Sequence, residues 1–136
     1  MTTQAENGTP AAPVVLVADD DPDILTLVSL RLTKAGYGVV TAADGEEAWQ
    51  AVREHRPELA IVDVRMPKMD GLEVIRRIRA DDESSDMPVI ALSARVRDAN
   101  LAEGFEAGAD EYVKKPFSPR QLVDLVRAKL STPTAR

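Results

Sequence analysis

Short apolar runs alternate with stretches of helical periodicity along most of the chain, and this alternation constrains the fold more than any other feature. The first run, Val14–Ala18, is followed from Ile24 by apolar residues at helical spacing until Gly36 ends the pattern. Successive strands separated by helices form a parallel sheet that the helices cover on both faces. The sequence therefore predicts an α/β sandwich of three layers.

The unit of one strand and one helix occurs five times along the chain. For five such units the common strand order is 2-1-3-4-5, which makes strands one and three neighbours and reverses the winding between them. Ligands bind at such a reversal, beyond the carboxyl ends of the strands. The predicted strands are Val14–Ala18, Tyr37–Thr41, Leu59–Asp63, Val89–Leu92 and Glu111–Val113, and the predicted helices after the first are Glu46–Glu54, Leu72–Ala80, Ala99–Ala107 and Pro119–Leu130.

Capping residues mark the helix starts and explain one of the consecutive aspartates at 19–21. Asp21 precedes Pro22, an arrangement in which the carboxylate caps the helix and the proline takes its first position. Asp19 and Asp20 are left without a structural role. Further pairs with capping spacing are Asp44 with Glu47, Asp70 with Glu73, and Ser118 with Gln121.

The predicted strand order brings distant carboxylates together. Asp19 and Asp20 follow strand one and Asp63 ends strand three, so all three lie at the mouth of the sheet. Such a cluster repels itself or holds protons unless a hard divalent cation binds there, and Mg²⁺ suits it because it takes oxygen ligands and keeps several waters. The chain has no cysteine and one histidine, His55, which we place on the surface, so a zinc site has no ligands.

The remaining strand ends carry complementary groups. Strand four ends at Ser93, a hydroxyl donor, and strand five leads into Lys114 and Lys115. The charges of three carboxylates, one Mg²⁺ and one lysine sum to zero. Conversion of one carboxylate to an acyl phosphate, which carries about −2, changes that sum to about −1. A carboxylate can attack phosphorus while a metal and a lysine stabilise the equatorial oxygens.

Composition excludes several classes of function. The net charge of −6 argues against direct binding to nucleic acid, and the basic run Arg76–Arg79 is predicted to be a solvated helix face. No apolar run reaches the ~18 residues of a membrane span, and the start of the chain lacks the pattern of a secretory signal. We therefore expect a cytoplasmic protein that neither enters membranes nor contacts nucleic acid directly.

Four segments together resemble the receiver domain of two-component response regulators. They read VLVADDDPDI, LAIVDVRMPKMDGLEVI, VIALSA and GADEYVKKPF, and the resemblance covers about residues 13 to 130. It implies a flavodoxin-like, doubly wound fold of five strand-helix units with strand order 2-1-3-4-5. It also implies a phosphorylation-activated switch of a phosphorelay, whose donor is a sensor histidine kinase or a histidine phosphotransfer protein.

The resemblance assigns roles to individual residues. Asp63 would accept the phosphoryl group, Asp19 and Asp20 would hold Mg²⁺ or Mn²⁺ with Asp63, and Arg65 would add its backbone carbonyl. Lys115 would bind the phosphate. Ser93 would be the hydroxyl switch residue, Tyr112 the rotating aromatic residue, and Pro116 would follow a cis peptide bond.

The same resemblance predicts how the signal leaves the site. A new dianion at Asp63 draws the Ser93 hydroxyl inward, and Tyr112 takes the vacated space, which shifts an existing equilibrium between two surfaces. The altered face would be built from the fourth predicted helix, the fifth strand and the last helix. A downstream protein would bind there, and the other partner that the resemblance suggests is a second copy, in a phosphorylation-dependent homodimer.

Two positions depart from the common pattern of the family. The residues two places beyond Asp63 and Ser93 influence how water attacks the acyl phosphate, and here they are Arg65 and Arg95. Neither side chain is suited to accept a proton from water, so we expect slow autodephosphorylation.

The predicted organisation is a flexible tail at residues 1–13, a receiver domain at 14–130 and a second tail at 131–136. This fits a single-domain regulator, and it equally fits a receiver excised from a longer regulator that binds DNA.

A phosphohydrolase with an aspartyl-phosphate intermediate commonly carries a second aspartate two residues after its nucleophile, where this chain has Arg65. A flavin carrier would need phosphate-binding loops rich in Ser, Thr and Gly, and an inert scaffold would not need the five site residue types.

Overall fold

The computed structural model describes residues 12–94 and 107–131. All strands run parallel in one sheet of order β2-β1-β3-β4-β5, as the sequence predicts. The predicted helix near Ala99–Ala107 falls almost entirely outside the described residues. The strands are β1 Val14–Ala18, β2 Gly38–Ala42, β3 Leu59–Asp63, β4 Val89–Ser93 and β5 Glu111–Lys114, and the described helices are α1 Pro22–Lys34, α2 Gly45–His55, α3 Gly71–Ala80 and α4 Pro119–Ser131.

Only β2 is displaced from its predicted position, by one residue. Gly36 adopts a φ of 103° and turns the chain sharply at the end of α1. The Tyr37 amide then donates to the Leu32 carbonyl at 3.1 Å and closes the helix. Because that amide is used by the helix, sheet pairing begins at Gly38, which lies opposite Val14.

The core consists of two apolar layers, one on each face of the sheet. The central strands β3 and β4 are buried along their whole length, which explains why they read as continuous apolar runs rather than as alternating ones. Leu16 and Ala18 of β1 face the layer under α2 and α3, whereas Val15 and Val17 face the layer under α1 and α4. No helix in the described part of the chain is long and apolar enough to cross a membrane.

The predicted caps form and fix the loops around the mouth of the sheet. Asp21 accepts from the Asp23 amide at 2.9 Å, and Asp44 accepts from the Glu47 amide at 2.9 Å. Asp70 caps α3 by accepting from the Leu72 amide at 2.9 Å, one residue earlier than the predicted spacing to Glu73. The Ser118 hydroxyl accepts from the Gln121 amide at 3.3 Å.

Two glycines permit close backbone contacts beside Asp63. A Cβ atom on Gly71 would overlap the Asp63 carbonyl oxygen, and the Gly71 amide donates to the Val64 carbonyl at 2.9 Å. A Cβ atom on Gly45 would likewise overlap the Met69 carbonyl oxygen. The loop that follows β3 is therefore clamped between the first turns of α3 and α2.

Arg79 corrects the prediction that the basic run of α3 is a solvated face. Its guanidinium donates to the carbonyls of Gly108, Ser85 and Met87 at 2.8, 3.1 and 2.6 Å. It also pairs at 2.8 Å with Asp110, whose carboxylate accepts from the Val89 amide. Arg79 therefore ties the end of α3 to the starts of β4 and β5.

Replacement of Arg79 by methionine is expected to lower the free energy of unfolding by about 2 kcal/mol, because several carbonyls and a carboxylate lose charged donors. Urea denaturation measures this loss. The matched control is Arg76→Met on the same helix, since Arg76 makes an exposed ion pair with Glu73 at 3.7 Å and no other ion pair with the residues that the structure describes. The control should change stability by less than about 0.5 kcal/mol. Equal effects of the two substitutions would show that the Arg79 contacts do not stabilise the fold.

Candidate functional site

The carboxylates predicted to converge do meet at the carboxyl ends of β1 and β3. These strands pair directly, with Ala18 opposite Val62, so Asp19 and Asp63 emerge side by side. One carboxylate oxygen from each of Asp19, Asp20 and Asp63 lies within 4.8 Å of the others. Asp19 and Asp63 are buried and Asp20 is exposed, so the cluster has an inner wall and an open rim.

Backbone amides orient the two buried carboxylates. Asp19 Oδ1 accepts from the Asp21 amide at 2.9 Å, while the Asp19 amide donates to the Ala42 carbonyl of β2 at 3.0 Å. Asp63 Oδ1 accepts from the Arg65 amide at 3.3 Å. Each carboxylate thus has one oxygen held by its own loop and a second oxygen directed toward the shared site.

Lys115 bridges those second oxygens. Its Nζ atom lies 2.9 Å from Asp19 Oδ2 and 3.2 Å from Asp63 Oδ2. Burial by itself would lower the pKa of Lys115, but its contacts with Asp19 and Asp63 outweigh that effect and raise the pKa above the usual 10.5. The lysine is therefore fully charged at neutral pH.

Asp63 is a strongly perturbed carboxyl group. Burial, followed by repulsion from Asp19, raises its pKa from 3.8 to about 6, although Lys115 and the Arg65 amide act in the opposite direction. One lysine therefore does not fully compensate the cluster. Perturbed carboxyl groups of this kind concentrate at functional sites.

The donor set fits a hard divalent cation. All side-chain ligands are carboxylate oxygens, which favours Mg²⁺ or a similar ion over zinc. Asp19 Oδ2 is fully buried and has no well-aligned hydrogen-bond donor among the described residues, although it is in ionic contact with Lys115. A cation at the rim would supply positive charge that offsets the negative charge of Asp19 and its neighbouring carboxylates.

Of the remaining predicted site residues, Ser93 and Tyr112 lie on adjacent strands. Ser93 ends β4 and is buried, and its carbonyl accepts from the Lys115 amide at 2.7 Å. Tyr112 lies on β5, half-buried against the layer under α2 and α3. The peptide bond between Lys115 and Pro116 is cis. The side chain of Arg65 is exposed at the rim, and Arg95 lies outside the described residues.

Sequence reasoning missed Lys68, which supports the loop after Asp63. Lys68 has a φ of 71°, and its ammonium lies 3.6 Å from Asp44 Oδ2 while the other oxygen of Asp44 caps α2. The Gly45 amide donates to the Pro67 carbonyl at 3.2 Å in the same region. Nothing in the spacing of the MPKMDG segment indicates this ion pair, because its partner belongs to a different strand-helix unit.

A doubly wound sheet that gathers carboxylates, a lysine and a strand-terminal hydroxyl at its switch point defines a receiver-type signalling domain. The family model of the response regulator receiver domain matches residues 15–127, and the chain belongs to this family. Its members are phosphorylatable domains of two-component signalling that interact with histidine kinases and downstream effectors. The family is one of signalling domains rather than of enzymes with a separate substrate.

Individual relatives agree with this assignment. The transcriptional regulatory protein AfsQ1 of Streptomyces coelicolor is 45% identical over 118 residues, which are 87% of this chain and 51% of that protein. The chemotaxis protein CheY4 of Vibrio cholerae has a TM-score of 0.81 at 35% identity, covering 86% of this chain and 98% of that one. The chain spans about half the length of the curated relatives it matches.

A further solved structure resembles this chain. It is the receiver domain of a sensor histidine kinase from Pseudomonas aeruginosa PAO1, with a magnesium ion coordinated in its active site cleft. Its TM-score is 0.79 at 30% identity, and the match covers 86% of this chain and 96% of that one.

Proposed function

We propose that Asp63 is the phosphoryl acceptor of this receiver domain. The observation that carries the proposal is the bridging of Asp63 and Asp19 by Lys115 at 3.2 and 2.9 Å, beside the open rim formed by Asp20. Asp19 and Asp63 are both buried and both in contact with Lys115, and the resemblance of the LAIVDVRMPKMDG segment to receiver domains assigns the acceptor role to Asp63. A phosphoryl group placed on it would exchange that contact for one between Lys115 and the new oxygens.

In the proposed reaction an oxygen of the Asp63 carboxylate attacks the phosphorus atom of a phosphohistidine on the donor. The P–O bond forms as the P–N bond breaks, and the imidazole nitrogen keeps the electron pair of that bond and takes up a proton. Lys115 pairs with an oxygen of the transferred group, which stabilises the charge that spreads over it. Asp19 holds the ammonium in place through the 2.9 Å contact.

Mg²⁺ would be held by the carboxylates of Asp19, Asp20 and Asp63 and by the backbone carbonyl of Arg65. Mn²⁺ suits the same oxygen ligands. When bound, the cation neutralises charge on the oxygens of the transferred group. The fully buried Asp19 Oδ2 and the magnesium site of the Pseudomonas receiver domain both support this assignment.

Phosphorylation of Asp63 would be read out through Ser93 and Tyr112. Asp63 and Ser93 end neighbouring strands, and Tyr112 lies on β5 opposite Ala91, two residues before Ser93. The proposed output face comprises the segment between β4 and β5, β5 itself and α4. A downstream protein, or a second phosphorylated copy, would bind this face.

The immediate donor would be a sensor histidine kinase or a histidine phosphotransfer protein. The proposed receiver domain spans residues 14–130, which include the residues 15–127 matched by the family model, and residues 1–13 and 131–136 are proposed to be tails. A second candidate is a receiver that forms part of a longer DNA-binding regulator, because relatives such as the MtrA regulator of Mycolicibacterium smegmatis carry that description and are about twice as long as the match. A phosphohydrolase with an aspartyl-phosphate intermediate commonly carries an acid/base aspartate two residues after its nucleophile. This chain has Arg65 at that place, which argues against a phosphohydrolase.

The experiment that tests the acceptor assignment is intact-mass analysis after incubation with Mg²⁺ and acetyl phosphate. Wild type is compared with Asp63→Asn and with the control Asp21→Asn, which lies in the run of three aspartates at 19–21.

Arg65 and Arg95 are proposed to make autodephosphorylation slow. The double substitution Arg65→Asn with Arg95→Glu places an amide and a carboxylate where they can orient water, so phosphate loss should accelerate about tenfold. Decay of the purified phosphoprotein after removal of the donor measures this rate. Arg53→Asn with Arg76→Glu makes the same charge change on exposed helix positions and should leave the decay unchanged. An unaltered rate in the first double variant would refute the role of these arginines.

A further inference from the structure

The surface between α2 and the turn that follows α3 carries a groove that the phosphotransfer site does not use. It has a volume of about 980 Å³ and is bounded at one end by the loop after β3 and at the other by the turn that follows α3. We propose that this groove docks a basic, amphipathic peptide segment of a partner protein. The proposal does not depend on the phosphotransfer chemistry.

The floor of the groove is apolar. Trp49, the single tryptophan of the chain, lies there half-buried, together with Met69 and the buried side chains of Val52 and Met87. A half-exposed tryptophan beside two methionines offers a surface that adapts to an incoming aliphatic or aromatic side chain. Burial of such an anchor is the kind of contact that supplies most of the binding energy at peptide interfaces.

The walls of the groove are predominantly acidic. Glu46 and Glu54 project from α2, and Asp81 and Asp82 come from the turn after α3. None of these four carboxylates forms an ion pair within the described ranges 12–94 and 107–131. Basic residues are fewer on the walls, and the exposed Arg56 is already paired with Glu83 at 3.1 Å. Glu54 accepts from the Gln50 amide group at 3.0 Å and Asp81 accepts from the Glu83 amide at 2.9 Å, so these two carboxylates have hydrogen-bond donors but no cationic partner in the described part of the chain. An apolar floor between such carboxylates is complementary to a peptide with an apolar anchor flanked by lysine or arginine.

The groove lies on the opposite side of the sheet from α4, one element of the output face proposed above. Its floor residues belong to the apolar layer under α2 and α3, whereas α4 covers the opposite layer. Met69 forms part of the groove and also belongs to the loop that follows Asp63, where its carbonyl packs on Gly45. A docked peptide would thus contact the same loop that shapes the phosphoacceptor site.

Trp49 provides the readout, because as the single tryptophan it makes the intrinsic emission of the chain report on the groove. The probe is a synthetic helical peptide of Lys, Leu and Ala without tryptophan, and its counterpart carries Glu in place of each Lys. Titration of the full chain with the Lys peptide should shift the Trp49 emission in a saturable manner, whereas the Glu peptide should not. The substitution Asp82→Lys in the groove wall should weaken binding of the Lys peptide about fivefold to tenfold.

The matched control is Asp124→Lys, which makes the same charge change at an exposed position of α4 on the opposite side of the sheet. It should alter binding by less than about twofold. Equal weakening by both substitutions would reveal only general attraction to an acidic protein and would overturn the proposal. A non-saturable or absent shift, as expected if a segment of this chain already fills the groove, would overturn it too. So would a shift on concentrating the protein without peptide, because that result identifies a second copy as the occupant.

Discussion

Wild-type protein incubated with Mg²⁺ and acetyl phosphate should gain one phosphoryl group, and the variant Asp63→Asn should gain none. Asparagine has nearly the shape of aspartate, so the fold is retained, but its amide oxygen lacks the charge of the nucleophile. Intact-mass analysis under acidic quench detects the acyl phosphate directly. Omission of Mg²⁺ should also suppress the adduct, because the remaining carboxylates would repel the donor.

The control for this experiment is Asp21→Asn, which removes a charge from the same acidic run. Asparagine is as good a helix cap as aspartate, and the Asp21 carboxylate contacts the Asp23 amide. The Asp21 backbone amide, which donates to Asp19, is kept in the variant. This variant should be phosphorylated to nearly the wild-type level. An adduct of similar yield on Asp63→Asn would remove Asp63 from its proposed role, whatever the behaviour of the control.

The sequence predicted the sheet order and the convergence of the carboxylates because both follow from local signals that agree. The central strands β1, β3 and β4 are apolar along most of their length, and each predicted cap, such as Asp21 or Ser118, is satisfied within a few residues of its own position. The common strand order of five such units then places the end of β1 beside the end of β3. Asp19, Asp20 and Asp63 could therefore be placed together before any contact was known.

The contacts that the sequence did not predict are all between distant units. Arg79 looks like any other member of a basic helix face, and only the fold places the carbonyls of Met87 and Gly108 within its reach. Lys68 and Asp44 come from different units in the same way. Periodicity reports which face of a helix is buried, but it cannot say which long charged side chain finds a partner at the boundary.

Because the pKa of Asp63 is raised in the folded protein, we expect the free energy of unfolding to depend strongly on pH. The ordinary pKa of the group is 3.8 and the value in the folded protein is about 6, so between these values the native state holds a proton that the unfolded chain has lost. The free energy of unfolding therefore falls as pH rises through this window and stays low above it. At about 1.4 kcal/mol per pKa unit, the loss at neutral pH amounts to as much as about 3 kcal/mol.

The variant Asp63→Asn lacks this titration and should therefore be more stable than wild type at pH 7 without divalent cations, by about 1 to 3 kcal/mol. The difference should disappear near pH 3, where Asp63 is largely protonated in both states. Urea denaturation at both pH values in the presence of a chelator measures it, with Asp21→Asn as the charge-matched control.

Added Mg²⁺ should stabilise wild type more than the variant, because it binds the native carboxylate cluster. A variant that is less stable than wild type at pH 7 without metal would show that Lys115 already compensates the charge of Asp63, and the cluster would then need no cation.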